Sequence, residues 1–330
     1  MTDGEPEGSR VARPRRRLRR LLLRITTWGA GLAVLVASAG FLYETNARRG
    51  DADHHRPPGR LVDVGGHRLH LYCTGTGAPT VVLETGLAES SASWETIQRR
   101  LSTGNRVCSY DRAGYAWSED GPSPRTAERA AGELHTLLAA AGEAGPYVLV
   151  GHSYGGNTVR VFADRRRDLT AGLVLIDVTD ETAVTALQIS RPLLAVQLTV
   201  NQLIARLGLL RLLGDALVPA EATTTARTHA LVVYGDRSMA AARAESWASV
   251  DSAAQVRATV RPRAWGDLPA VVISAGGQPP EVTEHARRLA ALSARGRLVV
   301  ATTTEHYVQN AQPDLVLDAI HEVIAAHGRG

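Results

Sequence analysis

The sequence predicts an α/β fold, with a mostly parallel sheet whose strands alternate with helices, behind one helix long enough to cross a membrane. Three observations carry this. Short β-branched runs recur through residues 60–307, with helix-patterned stretches between them. One such run, Tyr147-Val148-Leu149-Val150, stops at Gly-His-Ser-Tyr-Gly-Gly and is followed at helical spacing by Val159, Val161, Phe162 and Ala163. Residues 25–43 carry no charge and follow directly on an arginine cluster.

Residues 1–24 read as a basic cytoplasmic tail. They hold eight arginines against Asp3, Glu5 and Glu7, a balance of +5 in a chain of formal net charge +4. The remainder is therefore near −1, and the basicity does not indicate a nucleic-acid partner. The chain has no lysine, which suggests a GC-rich genome more than a function. Residues 25–43, at about 1.5 Å per residue, nearly span a bilayer core. Trp28 and Tyr43 near the ends suit the two interfaces. Arginines before the segment and few after it predict a single-pass cell-membrane protein with its body outside the cytoplasm. Ala37-Ser38-Ala39 and Arg19-Arg20-Leu21-Leu22 give the alternative, a signal peptide cleaved after Ala39 and a secreted body. The apolar stretch continues past Ala39, which favours an uncleaved anchor. Residues 44–59, with Arg48-Arg49, His54-His55 and Pro57-Pro58, read as a polar linker.

The remaining 271 residues, 60–330, have room for one large domain with a lid. "RLVDVGG" and "RLHLYCTG" alternate as a hairpin across Gly65-Gly66. Buried strands follow in 80–86 and 106–114, then an alanine-rich helix over 126–142 with Leu134, Leu137 and Leu138 on one face. After the strand at 147–150, further strands are expected in 172–179, 270–277 and 296–307. Residues 180–262 lack strand patterning and read as a helical lid.

Ser153 stands at the apex of the strand-to-helix turn among Gly151, Gly155 and Gly156. Such a turn strains the serine backbone, and side chains at the glycine positions would clash with helix or strand. It holds the hydroxyl out above the sheet edge as a nucleophile and aims the Tyr154 amide at a developing oxyanion.

The body resembles the α/β-hydrolase fold family from about residue 60 to 328. The resemblance is carried by "ETGLAESSASW" (84–94), "YDRAGYAWS" (110–118), "GHSYGG" (151–156) and "EHY" (305–307), in the family's order, with the long insert where the family places its lid. It implies an eight-stranded, mostly parallel sheet with a helical lid after strand six. By position, Ser153 resembles the nucleophile and His306 the base, and the Tyr154 and Leu87 amides resemble the oxyanion donors. Where the family commonly has its acid after strand seven, this chain reads "SAGGQPPE". Asp177, closing strand six, fits a family variant, with Glu281 and Asp180 in reserve. Trp94 fits packing as well as a substrate role. In this family's sheet the second and fourth strands are neighbours, which would allow a Cys73–Cys108 disulfide in an exported body.

A serine at the elbow argues against dehalogenase and epoxide-hydrolase relatives, which use aspartate there, and implies an acyl-enzyme. The expected activity is hydrolysis of an ester or related acyl bond in a small-molecule substrate. The apolar 193–213 is read as an acyl-binding wall. Alternatives are a prolyl-aminopeptidase-like peptidase, a C–C hydrolase, a perhydrolase, or an inactive binding module. No cofactor and no metal are expected.

Overall fold

The computed structural model describes residues 14–54, 56–217 and 235–328. Residues 1–13 of the basic tail and 218–234 of the expected lid lie outside them. Helix α1 (Pro14–His54) leads into an eight-stranded sheet of order β1-β2-β4-β3-β5-β6-β7-β8. Its strands are β1 (Arg60–Asp63), β2 (Arg68–Thr74), β3 (Thr80–Glu84), β4 (Val107–Tyr110), β5 (Tyr147–His152), β6 (Thr170–Ile176), β7 (Ala270–Ser274) and β8 (Gly296–Val300). Pairing is antiparallel for β1–β2 and β2–β4 and parallel from β4 onward. Gly65 and Gly66, at φ of +97° and +100°, make the first hairpin, in a region closed to most other residues.

β5 shows why its run is continuously apolar. Tyr147 and Leu149 face one core, with α3 (Ala127–Ala141), α4 (Gly155–Arg165), α8 (Ser249–Thr259) and α9 (Pro280–Ala290). Val148 and Val150 face the other, with α2 (Glu95–Leu101) and α11 (Pro313–His327). A strand buried on both faces has no polar alternation to display. Thr126 accepts from Arg129 N at 3.4 Å to cap α3, and Gly142 closes that helix at φ +76°. Trp94 is fully buried against the second core, so its place is packing.

Two expectations need correction. Residues 44–54 are not linker but the end of α1. Arg48 bonds Glu44 one turn back at 2.8 Å, and Arg211 of α6 (Leu209–Leu217) reaches both Glu44 and Asp51. Charges that read as solvated are paired along and across helices. The helix ends ahead of Pro57-Pro58, which cannot continue it. Second, the lid is shorter than 180–262. α5 (Val184–Arg206) and α7 (Asp236–Trp247) pack on the loops after β3 and β4 and α6 follows α5, but α8 packs into the main core through Val256.

Cys73 and Cys108 sit directly opposite in the β2–β4 ladder, and their sulfurs are joined. The link closes a loop of sequence separation 35. In the chain-entropy account such a loop contributes about 3–4 kcal/mol. Replacing both cysteines by serine is expected to lower the free energy of unfolding by that amount, read from the denaturant midpoint and slope together, because the freed unfolded chain is less compact. An unchanged free energy would show that the link contributes nothing.

Candidate active site

Ser153 follows β5 at φ +50°, the strained value the elbow demands. A Cβ on Gly151 would lie 2.7 Å from Val159 Cγ2, and one on Gly155 would lie 2.4 Å from the Thr85 carbonyl. On Gly156 it would lie 2.3 Å from Val178 Cγ1. Each glycine thus marks a close approach that a side chain forbids. Ser153 N–H donates to the Ile176 carbonyl at 2.9 Å, tying the elbow to the end of β6.

His306 lies in the loop between β8 and the short α10 (Val308–Ala311), its Nε2 2.9 Å from Ser153 Oγ and its Nδ1 2.6 Å from Asp177 Oδ2. Asp177 follows β6 at φ +44°, a conformation aspartate tolerates better than most residues. Its Oδ1 accepts from Ala275 N at 3.0 Å. Burial pushes its carboxyl up, but the bonds from His306 and from the Ala275 amide outweigh that and hold it below the ordinary carboxylate range. The Asp177 side chain is only 7% exposed whereas that of His306 is 47% exposed, so the site opens to solvent at the histidine.

The two reserve acids stand elsewhere. Glu281 is exposed in the first turn of α9. Asp180 accepts from Thr182 N and Oγ1 at 2.7 and 2.6 Å. It lies beside a buried group in which Glu181 accepts from Arg160 at 2.8 Å and is 2.9 Å from His285 Nε2. Burial raises the Glu181 carboxyl, and those two partners overcome this and hold it far below its usual range.

Sequence reasoning did not give roles to a set of buried residues that hold the loops of the site. His152, fully buried inside the elbow, has Nδ1 2.7 Å from Glu89 Oε1 and Nε2 3.0 Å from the His306 carbonyl oxygen. It is thereby the strut under the histidine loop. Burial lowers its pKa, but the Glu89 carboxylate outweighs burial and raises it overall.

Arg112, 1% exposed, lies between Glu84 and Glu245 and bonds both. It also donates to the Thr85 and Gly86 carbonyls at 2.7 and 2.8 Å. In a trans peptide the carbonyl and the following N–H point in opposite directions. Arg112 therefore turns the Leu87 N–H away from itself. Burial pushes the Glu84 carboxyl up to about 7, against the pull of Arg112 and Tyr110. The signal was available in sequence: a glutamate closing the apolar run Thr80-Val81-Val82-Leu83, and an arginine just past a buried strand, must be paired.

The lid's inner face meets this loop. Leu198 of α5 and Met239 of α7 are buried with Tyr115, and Leu194, Leu87 and Ala88 pack against them. Within the 193–213 stretch Leu194 and Leu198 thus turn toward the loop after β3, whereas Leu193, Val196 and Val200 face outward.

A doubly covered parallel sheet with a strained serine elbow defines the α/β-hydrolase class. The chain belongs to the alpha/beta hydrolase fold family, whose model matches residues 79–310. It is similar to a probable transporter, efuK, of Hormonema carpetanum, at 36% identity over 141 residues, 40% of this chain and 20% of that protein. The chain spans between a fifth and a half of the length of the first curated relatives it matches. Among solved structures it resembles the enol-lactonase of Burkholderia xenovorans LB400, with a TM-score of 0.60 and 22% identity over 81% of this chain and all of that one. It also resembles a thermophilic esterase of Thermogutta terrifontis, with a TM-score of 0.63 and 22% identity over 81% and 98%. At that identity the likeness is one of fold.

Proposed function

We propose that the protein is a serine hydrolase that cleaves a carboxylic ester or related acyl bond through an acyl-enzyme. The observation that carries this is His306 held between Ser153 Oγ and Asp177 at 2.9 and 2.6 Å. Ser153 Oγ attacks the acyl carbon while its proton passes to His306 Nε2. Asp177 accepts from Nδ1–H, fixes the tautomer and stabilises the imidazolium. The Tyr154 and Leu87 amides receive the oxyanion. His306 then protonates the leaving alkoxide. Water, deprotonated by His306, releases the acid by the same route. The apolar surface of Leu87, Leu194 and Leu198 favours an apolar acyl group. Helix α1, apolar and long enough to cross a bilayer, anchors the enzyme. The preceding arginines favour an inside N-terminus, and the Cys73–Cys108 link suits an oxidising exterior.

A fluorophosphonate probe and a series of p-nitrophenyl esters of rising acyl length test this. Labelling at Ser153 is expected, with kcat/KM rising from acetyl to longer chains. No labelling and no turnover on any ester would overturn the reading. Within the same assay Asp177→Asn is expected to lose about 10⁴-fold in kcat, through a misplaced tautomer. Glu281→Gln is expected to match the wild type. The reverse order would move the acid to Glu281.

A further inference from the structure

Along the outer side of the lid runs an apolar stripe with no protein partner among the described residues, flanked by the exposed Gln197 and Thr199. Ile189, Leu193, Val196, Val200 and Leu203 of α5 are 49–74% exposed. Their spacing of four, three, four and three places them on one face about 80° wide. Arg191 and Arg206, the helix's two charges, fall outside that face. Leu209, Leu212 and Leu213 of α6, the next helix in the chain, are 40–66% exposed as well. Isolated exposed leucines need no explanation, but a stripe along the length of one helix, with more exposed leucines on the next, does.

Its position beside α1 identifies what covers it. A Cβ on Gly40 would lie 2.4 Å from the Leu207 carbonyl oxygen, and one on Gly208 would lie 3.0 Å from Tyr43 Cδ1. The α5–α6 corner therefore rests on the last turn of the uncharged stretch 25–43, and Arg211 pins it there through Glu44 and Asp51. When that stretch fills the hydrocarbon layer, Gly40 lies roughly 5 Å inside its edge at 1.5 Å per residue. The corner then cannot leave the membrane boundary. Along the same uncharged stretch α1 itself exposes Leu32, Val34, Leu35 and Val36, each 61–66%.

Resting on the anchor reading above, we propose that the outer face of α5 and α6 is seated in the headgroup–acyl boundary of the bilayer that α1 crosses. The substrate is then an acyl ester of an amphiphile held in that bilayer. The opposite face of α5 bears Leu194 and Leu198, which pack beside the Leu87 loop, so one helix separates the lipid from the loop next to Ser153. An amphipathic helix in this position buries its apolar side in the interface plane.

Because the two native cysteines are joined to each other, an introduced cysteine is the one free thiol to label. The full chain carries an environment-sensitive fluorophore at Leu193→Cys or Val200→Cys in the stripe, or at Val34→Cys in α1. Ala325→Cys is the control. It is exposed near the end of α11, where Val323 packs on Gly172 at the start of β6, far from the site end of the strands. Each variant is reconstituted into phosphatidylcholine–phosphatidylglycerol vesicles with and without brominated acyl chains. Labels at 193, 200 and 34 are expected to shift to the blue and lose intensity with brominated lipid, and the label at 325 to do neither. If 34 is quenched while 193 and 200 behave like 325, the seating is overturned and the anchor stands. A blue shift at 193 and 200 without bromine quenching means a second copy covers the stripe, which also overturns the proposal. If 34 is not quenched, the anchor reading fails and takes this one with it. Matching denaturation midpoints for all four variants show that each is folded.

Discussion

Ser153→Ala is expected to lower kcat on a p-nitrophenyl ester by about 10⁴-fold or more and to abolish fluorophosphonate labelling. The size follows from what is lost. Without Oγ no acyl-enzyme forms, and only the oxyanion donors and substrate binding remain to assist water. His306→Ala removes the proton acceptor 2.9 Å from Oγ and is expected to cost about as much. The double variant is expected to be no worse than either single one, because the two residues act as one unit. Ser153 is partly exposed, so its truncation leaves no sizeable cavity and the unfolding midpoint is expected to stay in place. Turnover retained in Ser153→Ala would remove the serine from the chemistry.

Much of this architecture was legible because it is local. Continuous apolar runs of β5 and β6 announce strands buried on both faces, and the glycines around Ser153 announce a turn with no room for side chains. The alanine-rich helix expected at 126–142 is α3, at Ala127–Ala141. Ser153 and His306 were singled out by position, and the structure brings them within bonding distance. The acid was harder, since Asp177, Asp180 and Glu281 all lie just beyond strands six and seven. Only the fold reveals that the turn after β6 aims Asp177 at His306, while Asp180 bonds back to Thr182. Long-range pairing hid the rest. Arg211 meets Glu44 and Asp51 across more than 150 positions, so a helix end read as a linker. The lid's two apolar faces also could not be told apart by composition alone.

Arg112→Met is expected to destabilise the fold by about 3–5 kcal/mol, the cost of stranding buried carboxylates by removing their shared cation. Glu84 and Glu245 are 0% and 1% exposed, and Arg112 is the cation that bonds both. The side chain holds more than charge. Its donors to the Thr85 and Gly86 carbonyls set the peptide that carries the Leu87 N–H. Stability and catalysis should therefore separate in a triple variant, Arg112→Met with Glu84→Gln and Glu245→Gln. Replacing the whole charged group is expected to return most of the lost stability, because no buried charge is left without a partner. It is not expected to return the activity, because the Gly86 carbonyl still lacks its donor and the Leu87 N–H, the proposed oxyanion donor, is no longer held. The loss should fall on kcat at nearly constant KM, as for a contact made only in the transition state. A triple variant that recovers both stability and kcat would assign Arg112 to the fold alone.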